Sequence, residues 1–188
     1  SSINLDTKFT ISHFGSMPFT RNPLVLWKVL GRLTKENSDI AQHLNINLIG
    51  TVDYQVINSL KEYDLEKFVT VTAPIPHEES IALQRSSQLL LLVANNSGNV
   101  KGILTGKFFE YLGAKRPIIA IGENGSDLHK IVEHTECGCF VDYSDKSTLI
   151  KFIETSFNHY KQGNLSNVAL HTEEFCSSNL VKKVIELL

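Results

Sequence analysis

The chain has 188 residues, 42% of them hydrophobic, with 18 basic and 20 acidic side chains and a formal net charge of −2. That length supports one sizeable core, and the near-neutral balance argues against a nucleic-acid partner or an anionic membrane surface, which usually leave a basic excess. Its apolar runs at 89–94 and 117–121 fall far short of the ~20 residues of a membrane span, and no signal or stop-transfer pattern is visible. The 3 cysteines, Cys137, Cys139 and Cys176, are odd in number, and the first pair lies too close for a comfortable disulfide or zinc knuckle. Reduced thiols in a cytoplasmic protein with a small-molecule ligand are therefore expected.

Taken in order, residues 9–14 read as a strand closed by Gly15. Asn22 before Pro23 reads as an N-cap with proline at the first helical position, and Leu24, Leu26, Trp27, Leu30 and Leu33 form the buried stripe of a helix ending near Asn37. Residues 47–50 give a second strand, Asp53 caps a helix to about Tyr63, and 68–72 give a third strand. Ala73-Pro74-Ile75-Pro76 must be a rigid loop, because its prolines cannot donate to a ladder. A short helix begins at His77 with Glu78 and Glu79 in its first turn, and the apolar stretch 88–94 reads as a central strand. A polar, glycine-bearing loop over 95–105 leads into a short helix and then a strand at 118–121. Ser126 caps a helix to His134, 140–141 is a last short strand, and helices at 146–160 and 178–188 flank the polar run 162–167.

Apolar strands alternating with amphipathic helices are the mark of βαβ units, and strands with little polar alternation expect helices on both faces. The fold class is α/β, a Rossmann-like doubly wound parallel sheet. Ligands of such sheets bind beyond the carboxyl ends of the strands, which selects the loops 15–22, 73–76, 95–105 and 122–125.

Lys107 falls in the first turn of its helix, where the dipole disfavours a cation unless an anion shares the site. Glu110 lies three residues on, on the same helix face. Together they can hold a phosphate and a sugar hydroxyl; the plainer alternative is a surface salt bridge. Gly15 and Ser16, with Arg21 close behind, offer a backbone approach and a two-pronged clamp for phosphate, or simply a turn and a solvated arginine. Pro74 and Ile75 are placed to border a flat base. His13 ends a strand beside this region, where a core or loop role is the default. The loop after the first strand is neither G-x-G-x-x-G nor a P-loop, and no metal spacing or G-x-S-x-G elbow occurs.

Those residues carry a resemblance. Ile11-Ser12-His13-Phe14-Gly15-Ser16 with Arg21-Asn22-Pro23, and Thr105 through Ile118 with its Lys-Phe-Phe-Glu-Tyr-Leu-Gly-Ala core, resemble the C-terminal, nucleotide-sugar-binding half of GT-B glycosyltransferases, in particular the group 1 family. Gly138-Cys139-Phe140-Val141 fits the tail of that domain, and the likeness spans about residues 8–160. It implies one Rossmann-like donor-binding domain over 1–188, with 162–188 a terminal linker and helix, belonging to a larger two-domain enzyme. By the resemblance Glu110 binds the ribose hydroxyls, backbone amides near Thr105 and Gly106 meet the diphosphate, and Arg21 and Lys107 neutralise the departing diphosphate. Pro74 and Ile75 border the base. It further implies a UDP- or GDP-sugar substrate, no metal or other cofactor, and an N-terminal acceptor-binding domain as partner, through which alone any peripheral membrane association would come. Retaining members often carry two glutamates separated by seven residues, and the place of the first is taken here by Gly102. Other occupants of the fold are half of a sugar-nucleotide epimerase, which would share the diphosphate site, and a nucleotide-binding or interaction module without chemistry.

Overall fold

The computed structural model describes residues 4–95 and 106–165. Six parallel strands form its sheet: β1 (Phe9–Phe14), β2 (Leu44–Ile49), β3 (Val69–Thr72), β4 (Leu89–Val93), β5 (Ile118–Ile121) and β6 (Gly138–Val141), in the order β3-β2-β1-β4-β5-β6. The helices are α1 (Leu24–Glu36), α2 (Ser38–His43), α3 (Tyr54–Glu62), α4 (His77–Ser86), α5 (Gly106–Ala114), α6 (Asp127–Thr135) and α7 (Lys146–Lys161). This is the doubly wound α/β fold that the alternation of elements predicts.

Parallel strands buried on both faces need apolar side chains pointing both ways. Ile11, Ile46, Leu48, Leu91 and Ile119 pack against α1, α3 and α7 through Trp27, Leu30, Val56 and Ile153. On the opposite face Leu90, Leu92, Ile118 and Ala120 meet Phe108, Tyr111 and Leu112 of α5 and Ile131 of α6. The central β1 and β4 are buried at every position, whereas the edge strand β3 exposes Thr70, Val71 and Thr72.

Several local expectations give way to tertiary contacts. Asn22 does not cap α1, which starts at Leu24 after Pro23 and has no side-chain cap. Its amide instead accepts from Trp27 Nε1 at 2.9 Å and donates to Ser59 Oγ at 2.8 Å, because a fully buried indole N–H must find an acceptor. Asn37 closes α1 and also caps the unforeseen α2, accepting from the backbone of Asp39 and Ile40. β2 begins three residues earlier than expected, at Leu44. Its alternation of leucine or isoleucine with Asn45 and Asn47 is a strand pattern that the short apolar run 47–50 conceals. β6 likewise starts two residues earlier than expected, at Gly138. Asp53 and Ser126 do cap α3 and α6 as expected. Leu165, shortly after α7, is buried in the same core cluster as residues of α1 and α7. The expected helix over 178–188, Cys176, and the loop residues Gly102 and Thr105 lie outside the described residues.

Candidate functional site

At the carboxyl edge the loops after β1 and β2 continue the sheet for one more rung. Gly15 N–H donates to Ile49 O at 2.7 Å, Met17 N–H to Thr51 O at 2.8 Å and Asp53 N–H to Met17 O at 3.0 Å, with Met17 and Val52 bridged in parallel. The two chains come so close that only glycine fits at position 50. Its φ is +135°, and a Cβ there would stand 2.1 Å from the Gly15 carbonyl oxygen. Gly15 also has a positive φ, +105°, but an added Cβ would meet only Lys107 Cε, at 3.9 Å.

This rung forms the floor of a cleft of about 260 Å³, made by Gly15, Ser16, Gly50 and Thr51. Pro74 and Ile75 from the loop after β3 line it, and Ser80 of α4 and Lys107 of α5 close it on the helical side. The strand order reverses between β1 and β4, and doubly wound sheets bind ligands outside the strand ends where the order reverses. Gly15, Ser16, Pro74, Ile75 and Lys107, all expected in one site, thus meet in one cleft.

Glu110 stands behind Lys107. Its Oε2 accepts from Lys107 Nζ and from Gln84 Nε2, each at 3.3 Å, and Gln84 in turn donates to Ser80 Oγ at 3.1 Å. Gln84 is 1% exposed, so the carboxylate is steadied by a fixed amide as well as by a partly exposed cation. The i,i+3 pair expected from the sequence is present, and on one side it is anchored inside the protein.

Arg21 ends a short 3₁₀ turn, Phe19–Arg21, and its Nε donates to Asn95 Oδ1 at 2.7 Å. It does not line the cleft, but it and Lys107 both act electrostatically on His13. Gly106 opens α5, and a Cβ there would meet no protein atom within 4 Å. The loop at 122–125 contributes nothing to the cleft lining.

His13 is a core histidine by burial, 4% exposed, on the strand next to the cleft. Nδ1 lies 3.0 Å from Leu91 O, to which only a protonated Nδ1 can donate, and Nε2 has no hydrogen-bond partner among the described residues. Burial above all, then the charges of Lys107 and Arg21, push its proton affinity below the ordinary value of 6.5, against the Leu91 and Ser16 backbone, which favour the protonated ring.

Sequence reasoning missed Gly50, Thr51, Ser80, Gln84 and Tyr111. The last couples α5 to β1: Tyr111 is fully buried, and its hydroxyl accepts from Phe14 N–H at 3.0 Å. Burial raises that phenol well above its usual range, so it stays neutral. Tyr111→Phe should keep the edge-on packing against Phe14, 6.3 Å between centroids, yet strand a buried donor at a cost of about 1–3 kcal/mol. Urea denaturation reads the loss; a midpoint equal to the parent's would remove Tyr111 as the anchor of the β1 end.

Cys137 and Cys139 are buried, and burial pushes both thiols up to about 11, so neither offers a thiolate nucleophile. Among the described residues no cluster of histidine, cysteine or acidic side chains is arranged to hold a metal ion, and no helix is long and apolar enough to cross a membrane.

No family model matches the chain, and no curated protein does. Solved structures match its fold. WaaG, a glycosyltransferase involved in lipopolysaccharide biosynthesis, superposes with a TM-score of 0.67 at 12% identity over 97% of this chain and 47% of its own. A TarM variant from S. aureus, in a complex that includes UDP, gives 0.61 at 13% identity over 98% of this chain and 36% of its own. The C-terminal domain of a group 1 family glycosyl transferase (LpcC) from Francisella tularensis gives 0.60 at 15% identity over 86% of this chain and 81% of that domain. The chain thus spans about half or less of the WaaG and TarM chains but most of the separate C-terminal domain, and its fold is that of the C-terminal half of a GT-B glycosyltransferase.

Proposed function

We propose that this chain is the donor-binding domain of a glycosyltransferase and holds a nucleoside-diphosphate sugar for transfer to an acceptor. The observation that carries the reading is Lys107 at the start of α5, which lines a cleft floored by backbone and is paired with Glu110 behind it, itself held by Gln84. A helix start with its orphan N–H groups attracts phosphate, and Lys107 adds a full charge there. Glu110 receives its protein donors, among the described residues, at Oε2, which leaves Oε1 for a ribose hydroxyl. Pro74 and Ile75 supply a stiff apolar border for the base. Arg21, tied to Asn95, adds positive charge from the β1 side, and with Lys107 it would stabilise the leaving diphosphate.

On this reading no metal is required, because the two cations meet the charge that a metal would otherwise offset. The donor is a UDP- or GDP-type sugar, and the opposite wall of the cleft belongs to an N-terminal acceptor-binding domain. This chain alone would then bind donor without transferring it, since orientation of donor and acceptor in a dry cleft accounts for ~7–11 kcal/mol of barrier lowering.

Calorimetric titration with UDP, GDP, ADP and dTDP tests the reading. One of them should bind, and Lys107→Ala or Glu110→Ala should weaken it about ten- to a hundredfold, the worth of one charge-assisted hydrogen bond of about 1.5–3 kcal/mol. The Lys107 loss should shrink at high salt and be absent for the free nucleoside. The Glu110 loss should shrink for the 2′-deoxy nucleotide. Equal affinities for parent and both variants would move the nucleotide elsewhere.

A further inference from the structure

His13 is the one buried imidazole on β1, and its environment is unusual for a core histidine. The ring spends its Nδ1 proton on Leu91 O, and Nε2 has no hydrogen-bond partner among the described residues. Buried polar atoms are satisfied in nearly all cases, so a ring nitrogen with no described partner, one residue before the cleft-lining Phe14, calls for a physical account. Its register partner on β2 is Leu48, and β4 presents Leu91; neither side chain titrates. The charged groups acting on it are Lys107 from α5 and Arg21 from the turn after β1. Glu110, the nearest acid to Lys107, is bound by that lysine and by Gln84. Burial above all, and then the two cations, keep a proton off the ring, while the Leu91 and Ser16 backbone favours the protonated form.

We infer that His13 is a third, conditional cation of the phosphate site: a multiply charged anion held between Lys107 and Arg21 draws a proton onto His13 Nε2. The inference rests on the proposed diphosphate site. The anion offsets the two charges that add to burial in opposing protonation, its own charge lowers the cost of a buried imidazolium beside it, and the Ser16 carbonyl accepts from the new N–H. The balance is simple: one proton passes from solvent to Nε2, no bond to the ligand forms, and the proton returns to solvent when the ligand leaves. The empty site carries two positive charges and the occupied site three, so positive charge is added only when phosphate is there to meet it. A nucleoside, or a nucleotide whose phosphate does not reach between the two cations, gains nothing. Protonation thus discriminates diphosphate from its hydrolysed forms.

In the free protein the sign runs the other way. Burial first, and then the two cations, hold the folded ring below its ordinary value of 6.5, so the unfolded chain takes up more protons beneath that pH. The stability contributed by the neutral ring is complete above about pH 6.5 and is lost as pH falls. A bound anion relieves that loss, so its stabilising effect grows toward acid.

The test is the His13 ring signal in ¹H–¹³C NMR spectra of the whole chain, identified with His13→Gln among the 7 histidines. Spectra are taken from pH 6 to 8 without ligand, with saturating UDP or GDP, and with inorganic pyrophosphate. The expected result is a neutral ring in the free protein and a protonated ring with diphosphate near neutral pH. Diphosphate affinity in the parent should rise by up to about tenfold per pH unit on acidification across that window. The part of the rise due to His13 should vanish in His13→Gln, and nucleoside affinity should stay flat. A saturated nucleotide complex with a neutral His13 overturns the proton linkage and leaves the donor-binding reading standing. Protonation by pyrophosphate without any nucleotide binding upholds the linkage and removes the nucleotide. Failure of every anion to bind overturns both.

Discussion

Gly50→Ala is expected to cost about 2–6 kcal/mol, the sum of about 1–3 for a side chain at strongly positive φ and about 1–3 for forced repacking. The repacking is unavoidable because the new Cβ would stand 2.1 Å from the Gly15 carbonyl oxygen, and the neighbour is backbone that cannot rotate aside. Against a typical total of about 5–15 kcal/mol, a fraction of the chain would be unfolded at room temperature. Gly15→Ala is the internal control. Its φ is also positive, but the nearest atom is the far end of a flexible lysine at 3.9 Å, so only the conformational cost of about 1–3 kcal/mol applies. Urea denaturation of both variants should rank Gly50→Ala well below Gly15→Ala. If the two fell by the same amount, the close crossing of the loops after β1 and β2 would not be what requires glycine.

The second large effect is expected at Trp27, the only tryptophan of the chain, fully buried on α1. Trp27→Ala removes a large core side chain and should cost about 3–5 kcal/mol. Trp27→Phe retains most of the volume but leaves Asn22 Oδ1 without its indole donor, at about 1–3 kcal/mol. Asn22 directly follows Arg21 and also reaches Ser59 on α3, so the phenylalanine variant should additionally loosen the turn that carries Arg21. Chemical denaturation followed by circular dichroism separates the two variants. Equal midpoints for Phe and parent would mean that the Trp27–Asn22 bond contributes nothing.

Local pattern made much of this protein readable. β1 and β5 have the bounds that their apolar runs imply, and Asp53 and Ser126 cap the helices they precede. The pairing of Lys107 with Glu110 follows from helix geometry alone. What escaped was non-local. Tyr111 and Phe14 are 97 residues apart, and Gln84 and Glu110 are 26 apart; no short window joins them. Asn22 failed in the opposite way. Its Asn-Pro signal is a good local cap, and the need of a buried indole for an acceptor outweighed it. The loop at 50–53 was passed over because its part in the cleft is played by backbone, which leaves no chemical signature in side-chain identity. His13 was read as a core histidine, and its burial agrees; the orphaned nitrogen appears only in three dimensions.

The extra rung beyond the ends of β1 and β2 has a thermodynamic meaning for recognition. The amides of Gly15, Met17, Gly50 and Asp53 are already engaged with backbone carbonyls before any ligand arrives, so the floor of the cleft has spent its conformational freedom during folding. A ligand landing there need immobilise only the side chains above it, Lys107 foremost, at about 0.5–1.5 kcal/mol for each rotamer-rich group. Affinity at such a surface is decided by the few mobile charges at its rim, while the shape that selects the ligand is inherited from the sheet.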